Sequence, residues 1–291
     1  MKSFGRVLTA MVTPFNEDYT VNYQAAAKLA NYLVDNGSDG IVVAGSTGES
    51  STMTHEEELK LFATVLDAVG DRAVIVAGTG SNDTKTSIDH TRQAEKLGVH
   101  GAMLVAPYYN KPPQQGFYQH FKAVAESTQL PVIIYNIPGR CGANILPETI
   151  IRLSEIKNIV AVKEASGSMD QVAEIVRNTK LSVYSGDDAL TLPILSLGGV
   201  GIISVAAHLV GKDMQEMVTA FLAGNIVKAQ EIHQKLMPLF KSLFVTTNPI
   251  PVKTAVNLLG LKAGPLRLPL VPPSEKETEV IKTAMRELEL I

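Results

Sequence analysis

Short apolar runs rich in valine, isoleucine and alanine alternate along this chain with longer stretches in which apolar residues recur at helical spacing. The runs are Val7–Val12, Gly40–Ala44, Ala73–Ala77, Ala102–Ala106, Val132–Tyr135, Ile159–Lys163, Leu181–Tyr184 and Gly201–Val205. Loops with Gly, Thr, Asn or Pro lie between these runs and the amphipathic stretches, which predicts strands rather than fragments of helices. Between them the spacing predicts helices over Thr54–Val69, Asp83–Leu97, Gly116–Ser127, Pro147–Leu153, Met169–Arg177 and Ala189–Leu197. The first opens on a Thr54/Glu57 capping box and lines up Leu59, Phe62, Ala63 and Leu66 on one face.

Repetition of one strand-helix unit predicts an α/β fold, a parallel (β/α)8 TIM barrel, over residues 1–224. A doubly wound sheet is the competing architecture. It is disfavoured because no Gly-x-Gly-x-x-Gly follows the first strand, and because unusual residues cluster after nearly every strand. From Lys212 on, helical patterns follow without strands; Pro249–Leu259 and Ser274–Leu288 are the clearest. They predict a C-terminal helical extension over residues 225–291.

Composition narrows the classes of function. A hydrophobic content of 45% over 291 residues supports a large core. The net charge of −3, spread along the chain, speaks against a nucleic-acid surface. Cys141 is the single cysteine, so neither an internal disulfide nor a Cys-x-x-Cys redox or zinc motif is available, which fits a cytoplasmic setting. Met1–Phe15 lacks the apolar core of a secretory signal. Ala189–Gly211 carries no Asp, Glu, Lys or Arg, but Pro193, Gly198, Gly199, Gly201 and His208 divide it, so no membrane span is expected. The expected partners are small molecules and other protein chains.

The candidate chemistry centres on Lys163, an ammonium that ends an apolar strand with no warning in the pattern before it. One reading is a lysine that snorkels to water. The other is an amine whose pKa is depressed by burial and which attacks a ketone to form a Schiff base. Catalytic groups of a barrel come from the C-terminal ends of its strands. Here those ends read Thr13-Pro14, Gly45–Ser50, Gly78–Asn82, Pro107–Pro112, Tyr135–Arg140, Lys163-Glu164 and Ser185–Asp188, rich in hydroxyls and glycine backbone but poor in metal ligands. The histidines at 55, 90, 100, 120, 208 and 233 show neither His-x-His nor His-x-x-x-His spacing, so no metal and no cofactor is expected. Asp187-Asp188 after strand seven, with Gly198-Gly199 before strand eight, is the wrong arrangement for phosphate, leaving a small keto acid as the expected substrate. Gly45–Ser50 is either a tight turn or a carboxylate-binding loop; Tyr135 is either a strand-end aromatic or a proton carrier; Arg140 is either a surface residue or the partner of a second carboxylate.

Taken together, Gly45-Ser46-Thr47-Gly48-Glu49-Ser50, Pro107-Tyr108-Tyr109-Asn110, Tyr135-Asn136-Ile137-Pro138-Gly139-Arg140, Val162-Lys163-Glu164-Ala165, Ser185-Gly186-Asp187-Asp188 and Asn248-Pro249-Ile250-Pro251-Val252-Lys253 resemble the dihydrodipicolinate synthase family over essentially the whole chain. The resemblance implies a lyase of the class I aldolase type, condensing pyruvate with aspartate β-semialdehyde towards diaminopimelate and lysine. It implies that Lys163 is the Schiff-base nucleophile, with Tyr135, Thr47 and a neighbouring subunit's Tyr109 as proton relay. Ser46 and Thr47 would bind the pyruvate carboxylate, Arg140 the semialdehyde carboxylate, and Gly186 and Ile203 would line the site. Ser46 stands where the family usually has threonine. A homotetramer, as a dimer of dimers, is implied as well. Lysine-inhibited members bind lysine at a subunit interface, and Ser50, Ser51, His55, Asn82 and Tyr108 are compatible with such an effector site. Glu58 stands where those enzymes often have a second histidine, and Thr86 where they have a glutamate, which predicts weak or absent inhibition. The alternative inside the superfamily is N-acetylneuraminate lyase or another pyruvate-dependent keto-sugar-acid aldolase, and Arg140 discriminates against it. A catalytically silent keto-acid binding protein is the alternative of another class; it would be expected to have lost the lysine or the tyrosines.

Overall fold

A computed structural model describes residues 4–291; the first three residues of the N-terminal segment and of the expected barrel range lie outside the described residues. Eight parallel strands close into one barrel in sequence order: β1 (Val7–Ala10), β2 (Gly40–Val43), β3 (Val74–Gly78), β4 (Gly101–Val105), β5 (Val132–Asn136), β6 (Ile159–Glu164), β7 (Ser182–Ser185) and β8 (Gly201–Ser204). Closure is made by β1 against β8, where Leu8 pairs with Ile203. The predicted strands are all present, but the first is shorter than Val7–Val12: the backbone leaves the sheet after Ala10 and returns to it only through the amide of Met11.

The helices of the barrel layer are α1 (Tyr23–Asp35), α2 (His55–Val69), α3 (Thr84–Leu97), α4 (Gln114–Glu126), the one-turn α5 (Pro138–Cys141), α6 (Pro147–Leu153), α7 (Met169–Asn178), α8 (Thr191–Ser196) and α9 (Ala207–Leu222). The helix α1, absent from the sequence reading, is capped by Asn22 and buries Ala26, Leu29, Ala30 and Leu33; small alanines gave its stripe little contrast. The Thr54/Glu57 capping box opens α2 as read, and Ser274/Glu277 opens α12 (Glu275–Glu287) in the same way. Arg140 sits on the short helix α5 rather than on an open turn, because Pro138 at its first position has a backbone preset for a helix. The run predicted as one helix over Ala189–Leu197 is a 3-10 turn, Asp188–Leu190, followed by α8.

After α9, the helices α10 (Ile226–Ser242), α11 (Ile250–Leu258) and α12 pack on one another and on α9. Residue 224 falls in the turn between α9 and α10, yet one apolar cluster runs across it, joining Ile41 and Phe62 of the barrel side to Leu236, Val252, Ile281 and Met285. Inside the barrel a second cluster stacks Leu8, Val42, Val76, Met103, Ile133, Tyr135, Ala161, Tyr184 and Ile203. Strand side chains alternate between faces, so Ala161 pointing to this interior requires that Lys163 point there too, while Val162 and Glu164 face the helices. No helix among the described residues is long and apolar enough to cross a membrane.

Candidate active site

At the C-terminal mouth of the barrel the register sets Lys163 directly beside Tyr135 of β5 and Tyr184 of β7. Its side chain is almost wholly enclosed, 4% exposed, with Nζ 4.2 Å from the centre of the Tyr135 ring. Burial drives the amine down to about 7; Asp188 opposes this and Arg140 adds to it. A lysine in this state carries a large neutral fraction at physiological pH, which is what a nucleophile needs and what a snorkelling lysine lacks. Burial also raises the Tyr135 phenol, against the pull of Arg140, so it stays protonated and able to donate. Asp188 is buried and raised to about 6 by desolvation, although it accepts hydrogen bonds from the Ser204 hydroxyl and the Val205 and Ala206 amides. It is the anion nearest in influence to Lys163, and it went unassigned in the sequence because a pair of aspartates after a strand reads equally well as a helix cap.

The loop after β2 forms a 3-10 turn, Ser46–Gly48. Thr47 is buried, and its hydroxyl accepts a 2.9 Å hydrogen bond from Asn248 Nδ2. Asn248 also receives Arg140 Nη2 on its backbone carbonyl at 2.7 Å, and its buried Oδ1 has no hydrogen-bond partner among the described residues. Nothing local in the sequence marks Asn248 for this place, because its contact to Thr47 spans 201 residues. Gly186 packs so closely that a Cβ there would lie 3.2 Å from Lys163 Cε and 2.8 Å from Ala165 Cβ. Ile203 is fully buried in the barrel interior. Behind the lysine, Glu164 is a buried carboxylate that accepts from Asn136 Nδ2, Gln171 Nε2 and the Ser166 amide, which fixes the end of β6.

A small cavity of about 40 Å³ is lined by Ser46, Thr47, Tyr135, Arg140, Lys163, Gly186 and Asn248. A second, of about 460 Å³, shares Ser46, Tyr135, Arg140 and Asn248 with it and continues to Ser50, Ser51, His55, Glu58, Thr86 and Tyr108. The expected effector residues therefore stand in a separate chamber behind the same wall, apart from Asn82, which does not line it and donates instead to the Tyr108 carbonyl. Tyr109 lines neither cavity: it is 89% exposed, in a left-handed backbone conformation. No His-x-His or His-x-x-x-His pair marks a metal site in the sequence, but the fold brings His55 and Glu58 of α2 together with His90 of α3.

A sequence profile described as the dihydrodipicolinate synthetase family matches residues 3–288. The chain belongs to that family. It is 60% identical to the 4-hydroxy-tetrahydrodipicolinate synthase of Desulforudis audaxviator, over 99% of both chains. Among solved structures, the dihydrodipicolinate synthase of Cyanidioschyzon merolae with lysine bound superimposes with a TM-score of 0.98 at 49% identity, covering 99% of each chain. The DapA-2 dihydrodipicolinate synthase of Bacillus anthracis does so with a TM-score of 0.96 at 51% identity, covering 98% of this chain and 99% of that one. Lys163 is the penultimate residue of the sixth strand of this barrel, which runs one residue past the end that the sequence suggested.

Proposed function

We propose that the chain is a lyase that condenses pyruvate with aspartate β-semialdehyde to 4-hydroxy-tetrahydrodipicolinate, in diaminopimelate and lysine biosynthesis. The observation that carries the reading is an amine buried at the barrel mouth and brought down to about 7, on a chain 60% identical to a named synthase. The neutral Lys163 amine attacks the pyruvate ketone, loses water and leaves an imine. Loss of a methyl proton gives an enamine, which adds to the aldehyde of the second substrate and regenerates the imine; the second substrate's own amine then attacks the imine carbon, closing the ring and expelling the Lys163 amine. Tyr135, hydrogen-bonding groups on Thr47, and Tyr109 of a neighbouring subunit carry the protons, and the phenols do so without bringing a competing charge. Ser46 and Thr47 hold the pyruvate carboxylate, with Gly186 and Ile203 lining the site. Arg140 takes the second carboxylate in bidentate fashion, a geometry suited to guanidinium.

The exposure of Tyr109 supports a site completed across a subunit interface, hence at least a dimer and, as a dimer of dimers, a homotetramer. The setting is cytoplasmic, and the partners are the two substrates and further copies of this chain. Ser50, Ser51, His55, Glu58, Asn82, Thr86 and Tyr108 form an effector region in which Thr86 cannot supply a charged partner to an amino group. Lysine at millimolar concentration should therefore inhibit weakly or not at all; half-maximal inhibition far below a millimolar in a steady-state titration would show that Glu58 compensates. The reaction itself is tested by coupled assays that offer pyruvate with aspartate β-semialdehyde and, separately, pyruvate with N-acetylmannosamine. Turnover of the first pair alone is expected. Preference for the sugar pair would assign the chain to the sugar-acid aldolases.

A further inference from the structure

The larger cavity has a floor that the proposed reaction does not use. His55 and Glu58 lie three residues apart on the first turn of α2 and so share a face, and His90 reaches them from α3. One donor atom from each lies within 4.8 Å of the other two. Glu58 and His90 are buried, and His90 Nε2 stands 3.4 Å from Glu58 Oε2. That approach lacks hydrogen-bond geometry, so the buried Nε2 has no hydrogen-bond partner among the described residues. The exposed His55 ring completes the group, with its centre 4.4 Å from that of His90.

A buried imidazole nitrogen that faces a buried carboxyl group without a hydrogen bond is left under-satisfied, and neither group lines the small cavity at Lys163. Two imidazoles and one carboxylate are a borderline-soft donor set suited to zinc, cobalt or nickel, and poorly suited to calcium or magnesium. Donors about 2.0 to 2.2 Å from a tetrahedral ion stand roughly 3.4 Å apart, which the Glu58–His90 pair already satisfies. His55, exposed at the start of the helix, supplies the third side. The positive end of the α2 dipole opposes a cation here, and Glu56 in the same turn offsets it in part, Glu57 being engaged by Arg267.

We infer that His55, Glu58 and His90 form a three-ligand site for a divalent transition metal ion, with its fourth position open to the 460 Å³ cavity. This goes beyond the proposed reaction and does not depend on it.

The test uses the full chain, stripped with a chelator and desalted, with Co²⁺ as the probe. Calorimetry should count one ion per chain, and absorption should show visible bands of a four- or five-coordinate ion without a near-ultraviolet thiolate band, which separates this site from the buried Cys141. His55→Ala changes an exposed residue and Glu58→Gln keeps side-chain volume, so both are expected to retain the circular dichroism of the parent. Each should weaken Co²⁺ binding by about tenfold or more. Absence of binding to the folded parent, a thiolate band, or unchanged affinity in both folded variants would overturn the site.

Discussion

A single methyl group tests how tightly Lys163 is held. Gly186→Ala would place a carbon 3.2 Å from Lys163 Cε and 2.8 Å from Ala165 Cβ, so the amine or the β6–β7 edge must shift. A displacement near 1 Å at a reacting atom costs roughly a hundredfold in rate, and steady-state kinetics of the folded variant should show a loss of that order in kcat. The amine at about 7 sets the pH dependence: protonation removes the nucleophile, so the rate of adduct formation should rise as pH climbs through about 7 and then level off. A rise centred near the ordinary lysine range would mean the amine is not desolvated in solution. Arg140→Ala should damage use of the semialdehyde far more than formation of the pyruvate adduct, and equal damage to both would place Arg140 in a general structural role. At this scale much was legible. Lys163 announced itself because nothing in Ile159–Val162 prepares for a charge. The crowding at Gly186 was hidden, since a glycine before two aspartates reads as an ordinary turn until its neighbours are placed.

Among the elements, the C-terminal helices reach back and pin the loop after β2. Lys253 of α11 meets Glu49 at 2.6 Å with both side chains essentially buried, and the Arg267 amide donates to the other Glu49 oxygen. Lys253 and Arg267 both lie over the Phe15 ring, and Arg267 also pairs with Glu57 of α2. Glu49 is in a left-handed conformation, so the pair holds in place a turn that an unrestrained glutamate would rarely adopt. Lys253→Met strands a buried carboxylate and should lower stability by about 3–5 kcal/mol in urea denaturation, whereas adding Glu49→Leu should recover most of it. Equal losses in the single and double variants would mean that packing, not the ion pair, is what matters. The helices themselves could be read from periodicity, but this connection could not: Lys253 and Glu49 are 204 positions apart, and no local pattern encodes such a pair.

For the molecule as a whole, strand-helix repetition dictated the closed barrel, and the order of its strands left few alternatives. What lies between subunits has no signature along one chain. Tyr109, exposed and turned outward, is the residue on which the assembly prediction rests. Lys163→Ala and Tyr109→Phe should each be nearly inactive alone. Co-expressed, they should regain roughly a quarter of the parent activity, because a mixed dimer has one site with both native groups. No recovery from mixed dimers would mean that each Tyr109 serves its own chain.

The account turns on Lys163 as a covalent nucleophile, and borohydride reduction in the presence of pyruvate tests it most directly. Peptide mass mapping should find a reduced pyruvyl adduct on Lys163 alone, formed in parallel with loss of activity, and absent from Lys163→Ala. An adduct on another lysine, or none in enzyme that turns over both substrates, would contradict it.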